Sequence, residues 1–566
     1  NNPTWYCVTA LPSIIDVDAI TSPALAHNLF AIALVGKLTA ENPLLAEAVT
    51  SWKQRQGQAG DVLVSQLQQN ADLKISPLLA SPWLPDAERQ TLRMQALDQL
   101  FDAKRNASLI TKLISSLEKL QAKDGGFLWL DFGDRSEASY WATSQVLELV
   151  GEIHRLGCLP ADADLLHLIT EAAHYLDKQT LKEEAEMLAE VKKYGGKPSY
   201  LHFWSYVYTR QMLNDIAAYS SKTQAKQLMN IVNKTLKELE RDWGALDMTS
   251  RARAAVTLHR YGRTSVARGV MESVRQFALH HPHKGMYWES LDRYSWFSPV
   301  ACTSAMLQAF NEVSPRKAEI DEMRQWLLLE KQTSDWGSSS LASDAVYAIL
   351  STGSDWLYAS ADSIPQFEIR VDGRQLDLSE TDRFLGYVRT TLPADAHRVE
   401  VTRTGVNPAW GSLYHQYQAE MQEVKEQSVE ELAITKQMQR VAQDGTVQKL
   451  SEGDSLRVGD RIRVTLRIHA AKDLEYVTLV DQRPSFLEPV DQKSHYTRSE
   501  RLYYYLETKD TVTKAFVNRL REGNHEIGYD CYVTAPGILV SGIATIQSQY
   551  APQFVAHSAG DKMQVY

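Results

Sequence analysis

Between residues 24 and about 350 the chain repeats one local event: a short turn, and then an apolar stripe at helical spacing. In "ALAHNLFAIALVGKL", Leu25, Leu29, Ile32, Ala33 and Gly36 fall on one face of a helix. Similar stripes begin near Ala87, Ser136, Ser199, Thr249, Pro299 and Ser340. Their separations run from about 40 to 65 residues, which fits two helices and two loops per repeat. A chain that repeats a helical hairpin either extends as a solenoid or closes on itself. Six or seven hairpins suffice for a two-layered ring, so the reading is an α/α toroid with inner helices on the axis and outer helices around them.

The boundaries of these helices are marked. Ser136 and Ser139 precede one stripe, and both can accept from free N–H groups at a helix start. Pro315-Arg316-Lys317 and Pro85-Asp86-Ala87 have the look of helix starts. Gly151, Gly157 and Gly262 are expected at helix ends, where a left-handed residue is needed.

The turns share a second feature. "KDGGFLWL", "DWGALDM", "GMYWES" and "SDWGSSS" each place a Gly and a Trp near a new helix. The expectation is that Gly125, Gly244 and Gly337 let the chain reverse, while Trp129, Trp243 and Trp336 roof the ends of the helix pairs. Together with Trp288 these tryptophans are also the candidate contacts at the rim, since loops on a rigid scaffold carry function.

From about residue 359 the period changes to two. "PQFEIRVDGRQLDL" alternates and then reverses at Asp372-Gly373, a strong hairpin signal. "HRVEVTRTG" continues the alternation. Beyond the polar "QEVKEQSVEE", Ile462, Val464, Leu466 and Ile468 share one side of a strand. "RLYYYLET", "KAFVNRL" and "HEIGYDCYVTA" are further strands, and seven or more of these imply a β-sandwich. The organisation is an α/α toroid over 1–358, a small β unit over 359–425 and a β-sandwich over 426–566.

Bulk properties exclude several functions. The 566 residues are 44% apolar and 23% charged, ordinary values for a globular chain. The formal charge of −10 and the lack of a basic stripe argue against nucleic acid as a partner. No apolar run is read as a membrane span, and the start has no signal-peptide order, so the chain reads as the interior of a longer polypeptide. Cys7, Cys158, Cys302 and Cys531 lie far apart and read as small buried hydrophobes. His280, His281 and His283, with Cys302 downstream, match no metal motif, and neither do His167 and His174. No metal or cofactor is expected. Asp124, Asp131, Asp134, Asp242, Asp335 and Asp344 stand near the turns, where acids mostly cap helices. A catalytic carboxylate pair would need two of them to converge.

The most specific text is C-terminal. "VGDRIRVTLRIHAAKDLEYVTLVDQRPSFLEPV" and the stretch from Leu502 to Gly560 resemble the C-terminal region of bacterial alpha-2-macroglobulin-like proteins. "NPTWYCVTALP" and "KQTSDWGSSSLASDAVYAIL" resemble the helical thioester-type domain of that family, and the short β unit resembles its CUB-like domain. The resemblance implies a non-enzymatic protein of the periplasm, cell envelope or exterior that traps proteases, with those proteases and upstream domains of the same polypeptide as partners. It also implies a Cys-x-Glu-Gln thioester near the start of an early helix. Here Thr21, Ser22, Pro23 and Ala24 occupy that position, and Cys7 lies too early. Neither the thiol nor the carboxamide half is in place, so capture is expected to be non-covalent. Pro23 is expected in the first helical turn, with Thr21 or Ser22 as its cap. Two other readings stay open on the residues alone: a toroidal carbohydrate-active or prenyl-processing enzyme, and a structural partner-binding module.

Overall fold

The computed structural model describes residues 3–16, 18–41, 83, 100–133, 137–282, 284–289, 298–333, 336–353, 367–378, 390–404, 413, 419–450, 454–500, 502–551 and 553–566. The chain falls into two compact units. One holds residues 1–63, 92–331 and 335–409, and the other holds 64–91, 332–334 and 410–566. The hairpin expected to begin near Ala87, the Ser136 cap and the Pro85 start lie outside the described residues.

In the first unit twelve helices are described. They are α1 (Pro3–Ile14), α2 (Ser22–Glu41), α3 (Ala103–Lys119), α4 (Tyr140–Arg155), α5 (Ala163–Tyr194) and α6 (Trp204–Met212). Then follow α7 (Lys222–Asp242), α8 (Met248–Arg260), α9 (Thr264–Arg275), α10 (Pro299–Val313), α11 (Lys317–Thr333) and α12 (Ser339–Ser351). The even-numbered helices form a closed circuit. Each packs on the next from α2 to α12, and α12 returns to α2. The closure carries a polar contact, His27 Nδ1 to Ser343 Oγ at 2.9 Å. The odd-numbered helices pack outside: α3 and α5 on the α2–α4 side, α7 on α6 and α8, and α9 on α8 and α10.

Position in the ring explains the composition of the helices. An inner helix has neighbours on both flanks and on its outer side. In α2, Ala26, Phe30, Ala31, Leu34 and Val35 are therefore buried along with Leu25, Leu29 and Ile32. One helix bears on the expectation that no apolar run is a membrane span. α2 has 20 residues and is long and apolar enough to cross a membrane by length and composition alone, but 61% of its apolar window, of mean hydropathy 1.2, is buried inside the structure, as in a core helix.

Caps follow local chemistry. Ser139 accepts from Ala142 N, Asp162 from Asp164 N and Leu165 N, Ser298 from Ala301 N, and Ser338 from Leu341 N. Gly157 and Gly262 end helices at φ +69° and +78°. Gly151 does not: it lies inside α4, where an added Cβ would meet Met212 at 2.8 Å, so it permits close packing of α4 on α6. Nor does Gly244 reverse the chain, because it sits in a short 3₁₀ turn, Trp243–Ala245, without positive φ. Gly125 does what was expected. Its φ is +90°, and a Cβ there would lie 2.5 Å from the Glu171 carbonyl oxygen.

Also in this unit, β1 (Leu279–His281) pairs with β2 (Gly285–Tyr287). A three-stranded antiparallel sheet follows the helices: β3 (Phe367–Val371), flanked by β4 (Arg374–Gln375) and β5 (Val399–Arg403). Its hairpin turns at Asp372 and Gly373, with φ +48° and +79°, as the Asp-Gly pair predicts.

The second unit is a sandwich. Its strands are β6 (Leu432–Val441), β7 (Val447–Lys449), β8 (Ser455–Leu456), β9 (Arg461–Ala470), β10 (Leu474–Gln482), β11 (Leu487–Pro489) and β12 (His495–Ser499). They continue with β13 (Leu502–Thr508), β14 (Val512–Leu520), β15 (Gly523–Val533), β16 (Gly537–Ser541), β17 (Ala544–Ser548), β18 (Val555–His557) and β19 (Asp561–Val565). One sheet runs β12-β13-β14-β10-β17-β18, a second β11-β15-β9-β6-β7, and a small third β16-β19-β8. Ile462, Val464, Leu466 and Ile468 of β9 enter the shared core with Val477 and Leu479 of β10, as alternation requires. Inside that core Lys436 Nζ donates to Asp481 Oδ1 at 2.6 Å and to the Gly542 carbonyl at 2.9 Å. The Tyr529 hydroxyl also donates to Asp481.

Candidate functional site

The segment Thr21–Ala24 opens α2. Thr21 Oγ1 accepts from Ala24 N at 3.4 Å, and the Thr21 carbonyl accepts from Leu25 N at 3.0 Å. Pro23 stands in the first turn, where its missing N–H costs nothing. Ser22 is fully buried. Its hydroxyl donates to the Leu128 carbonyl at 2.6 Å and its N–H to the Trp129 carbonyl at 3.2 Å. Both hydrogen-bond donors of Ser22 thus tie the start of α2 to the turn that holds Gly125. Cys7 is sealed within α1, and burial pushes its thiol up to about 12, so it stays protonated at neutral pH.

The tryptophans separate into two kinds. Trp336 is 2% exposed, has φ +57°, and its indole donates to the Leu327 carbonyl at 2.9 Å. Trp288 is buried as well, donating to the Val274 carbonyl at 3.0 Å and lying against Phe310. Trp129 does not roof a core, being 48% exposed. Trp243 is only half-buried, with the Arg251 guanidinium 5.9 Å from its ring centre. The reason is local. Trp336 follows a helix end in a left-handed turn that directs its ring inward, whereas Trp243 continues α7 into a 3₁₀ turn on its exposed side.

The acids of the turns do local work. Asp124 accepts from Gly126 N and Asp131 from Gly133 N, both as turn closures. Asp242 pairs with its neighbour Arg241. Asp134, Asp335 and His283 lie outside the described residues. His280 meets Glu322 at 3.0 Å, and His174 Nε2 the Ala218 carbonyl at 3.0 Å. Cys302 is buried in α10. Among the described residues no three His, Cys, Asp or Glu side chains are grouped to hold a metal ion.

Asp344 stands apart. It joins a charged cluster between the inner helices. Arg253 of α8 bonds Glu148 of α4 at 2.9 Å and lies over the Tyr208 ring of α6. Glu152, one turn beyond Glu148, is 3% exposed and its Oε2 has no partner among the described residues. Burial raises its carboxyl well above the usual range, and Asp344 and Glu148 raise it further. Asp344 of α12 is pushed up to about 6 by burial, with Arg253 pulling the other way and Glu148 adding to the rise. Nearby, Arg260 grips Glu312 of α10 with two bonds, 2.6 and 2.9 Å, and Gln211 of α6 at 2.9 Å. Burial and the crowding of three acids around one arginine both push the cluster towards its protonated form. A separate buried pair, Arg210 with Asp177 at 3.1 Å, joins α6 to α5, and the guanidinium lies 4.0 Å from the centre of the Tyr219 ring.

Nothing in helical periodicity reveals this cluster. Glu148 and Glu152 sit four apart, a spacing that reads as a solvated face. The legible signal is that α4 carries apolar residues on its other faces as well. Its charged stripe therefore cannot all face water.

The bacterial alpha-2-macroglobulin MG10 domain matches residues 432–553, from the first residue of β6 to just past β17. No curated protein matches the chain. Among solved structures, trypsin-activated alpha-2-macroglobulin from Escherichia coli is 15% identical at a TM-score of 0.39, covering 83% of this chain and 31% of that one. Escherichia coli alpha-2-macroglobulin activated by porcine elastase is 15% identical at 0.34, covering 82% and 38%. Salmonella alpha-2-macroglobulin reacted with methylamine is 17% identical at 0.29, covering 82% and 28%. The chain spans between 28% and 38% of the length of these three.

Proposed function

We propose, from the match of residues 432–553 to the bacterial alpha-2-macroglobulin MG10 domain, that the chain is the C-terminal portion of a protease-trapping protein of the bacterial envelope. In this reading residues 1–358 are the thioester-type α/α toroid, 359–425 the CUB-like unit and 426–566 the macroglobulin-like sandwich. The chain catalyses nothing itself. Proteases and upstream domains of the same polypeptide are its partners.

The observation that carries the non-covalent form of this reading is the start of α2. A thioester needs a thiolate as leaving group and a glutamine-derived acyl group, and the residues there are Thr21, Ser22, Pro23 and Ala24. The Ser22 hydroxyl is committed to the Leu128 carbonyl. With no acyl donor, a protease is held by enclosure or by surface contact alone.

Two measurements on the full-length gene product test this. After incubation with a protease, activity on a protein substrate should fall while activity on a small peptide amide persists. The complex should also dissociate in denaturant. Equal loss on both substrates, or none on either, would sink the trapping reading. A protease band that survives denaturation at a covalent mass would sink the non-covalent one.

A further inference from the structure

Trp83 is fully buried, yet it lies outside the sandwich core. It forms a second, smaller cluster with Phe516, against which Tyr476, Tyr505 and Tyr550 pack. Its ring meets Tyr476 edge-on at 5.3 Å and Phe516 edge-on at 5.1 Å. Its indole N–H donates to Asn518 Oδ1 at 2.7 Å, across 435 residues of sequence.

These partners share one face. In β14, Ala515 and Val517 point into the core, so Phe516 and Asn518 point away from it. In β10, Val477 and Leu479 point inward and Tyr476 does not. Trp83 is therefore seated on the outer face of the six-stranded sheet. The aromatic line continues past it. Tyr476 meets Tyr550 at 5.3 Å on one side, and Tyr505 meets Tyr496 at 5.0 Å on the other. At the sheet edge Tyr496 and Tyr503 stack at 5.4 Å and stand 51% and 61% exposed.

The backbone is shaped for this guest. The β10–β14 ladder pairs Glu475 with Arg519 and Val477 with Val517, and skips Tyr476 and Asn518 between them. Tyr476 has φ +50°, a conformation that a bulky residue rarely adopts and that persists only where surroundings impose it. The two residues skipped in the ladder are two that hold Trp83.

We propose that the outer face of this sheet is a recognition groove for a tryptophan-bearing chain segment, and that Trp83 is its built-in, releasable occupant. The indole supplies area, the Asn518 carbonyl oxygen reads the N–H, and the strain at Tyr476 favours release. Because the occupant is covalently attached, it competes at high effective concentration and excludes a peptide in solution. This inference stands independently of the protease-trapping reading.

The probe is a fluorescein-labelled peptide of residues 78–88 added to the whole chain, with anisotropy as the readout. The Trp83→Ala chain should bind it saturably, and the wild type at least about tenfold more weakly. A peptide carrying Ala for Trp should bind neither. Adding Asn518→Ala to the Trp83→Ala chain should weaken binding about three- to tenfold, as loss of one hydrogen bond does. A folded Trp83→Ala chain that binds no better than wild type overturns the proposal, as does equal binding of the Ala peptide. Should Trp83→Ala fail to fold, Trp83→Phe keeps the ring without the N–H and should show intermediate binding. In the wild type, hydrogen exchange should show the amides flanking Tyr476 and Asn518 opening below the free energy of global unfolding. Exchange there only by global unfolding would show Trp83 to be fixed structure and not an occupant.

Discussion

The Ser22 hydroxyl donates to the Leu128 carbonyl at 2.6 Å, with both residues buried. This bond ties the first turn of α2 to the reversal at Gly125. Ser22→Ala leaves that carbonyl without its hydroxyl partner, which should cost about 1–3 kcal/mol. Thermal or urea unfolding reads it directly. An unchanged midpoint would mean that the contact contributes nothing.

Methylamine should leave the native protein unaltered. A thioester would add one methylamine and release one thiol, and the start of α2 supplies neither half of that bond. Intact mass and thiol titration before and after treatment decide the matter. A mass gain localised to residues 18–27 would refute the non-covalent reading.

Trp336 and Trp129 should respond oppositely to truncation. Trp336 is sealed and hydrogen-bonded through its indole, so Trp336→Ala should cost about 3–5 kcal/mol. Trp129 is 48% exposed, and Trp129→Ala should change stability by no more than about 0.5 kcal/mol. If Trp129→Ala instead abolished protease binding without loss of stability, the exposed ring would be a contact surface.

The charged cluster gives a pH dependence with a definite sign. Asp344 is raised to about 6 in the folded chain, from 3.8 for an unperturbed group. A raised acid favours the folded state most below its unfolded value, and that contribution is lost as pH rises through about 6. Glu148 and Glu152 from α4, Arg253 from α8 and Tyr208 from α6 share its surroundings, so the proton belongs to the group. Asp344→Asn removes the penalty of ionisation. The difference in melting temperature, variant minus wild type, should become more positive between pH 4.5 and 7.5. A flat difference would show Asp344 to be ionised throughout.

In the sandwich, Lys436 and Asp481 are both inside the core, with side-chain exposures of 4% and 0%. Burial raises the Asp481 carboxyl and Lys436 opposes that rise. Lys436→Met strands the carboxylate and should cost about 3–5 kcal/mol. The double variant Lys436→Met with Asp481→Leu should recover most of it, because apolar groups then fill the same volume. A double variant as unstable as the single one would assign the loss to packing.

Much of this protein was determined by short-range pattern. The repeated stripe marks the inner helices at Tyr140, Met248, Pro299 and Ser339 to within a few residues, because a stripe at helical spacing can be buried only one way. Asp372-Gly373 sets its hairpin, Pro23 its helix start and Ile462 to Ile468 the core side of β9, each through the conformational limits of a few residues. Tertiary structure decided what those limits leave open. Trp336 and Trp129 both stand near a glycine turn signal in sequence, but only the Trp336 ring is aimed at a core. Gly151 reads as a helix end and is a packing contact with Met212. Glu148, Glu152, Arg253 and Asp344 look like solvated charges along three separate stretches until ring closure brings the helices together. Trp83 finds Asn518 across 435 residues. Local sequence specifies φ, ψ and which side of an element is apolar. It holds no record of which distant side will face it, and that pairing sets burial, charge balance and every site in this molecule.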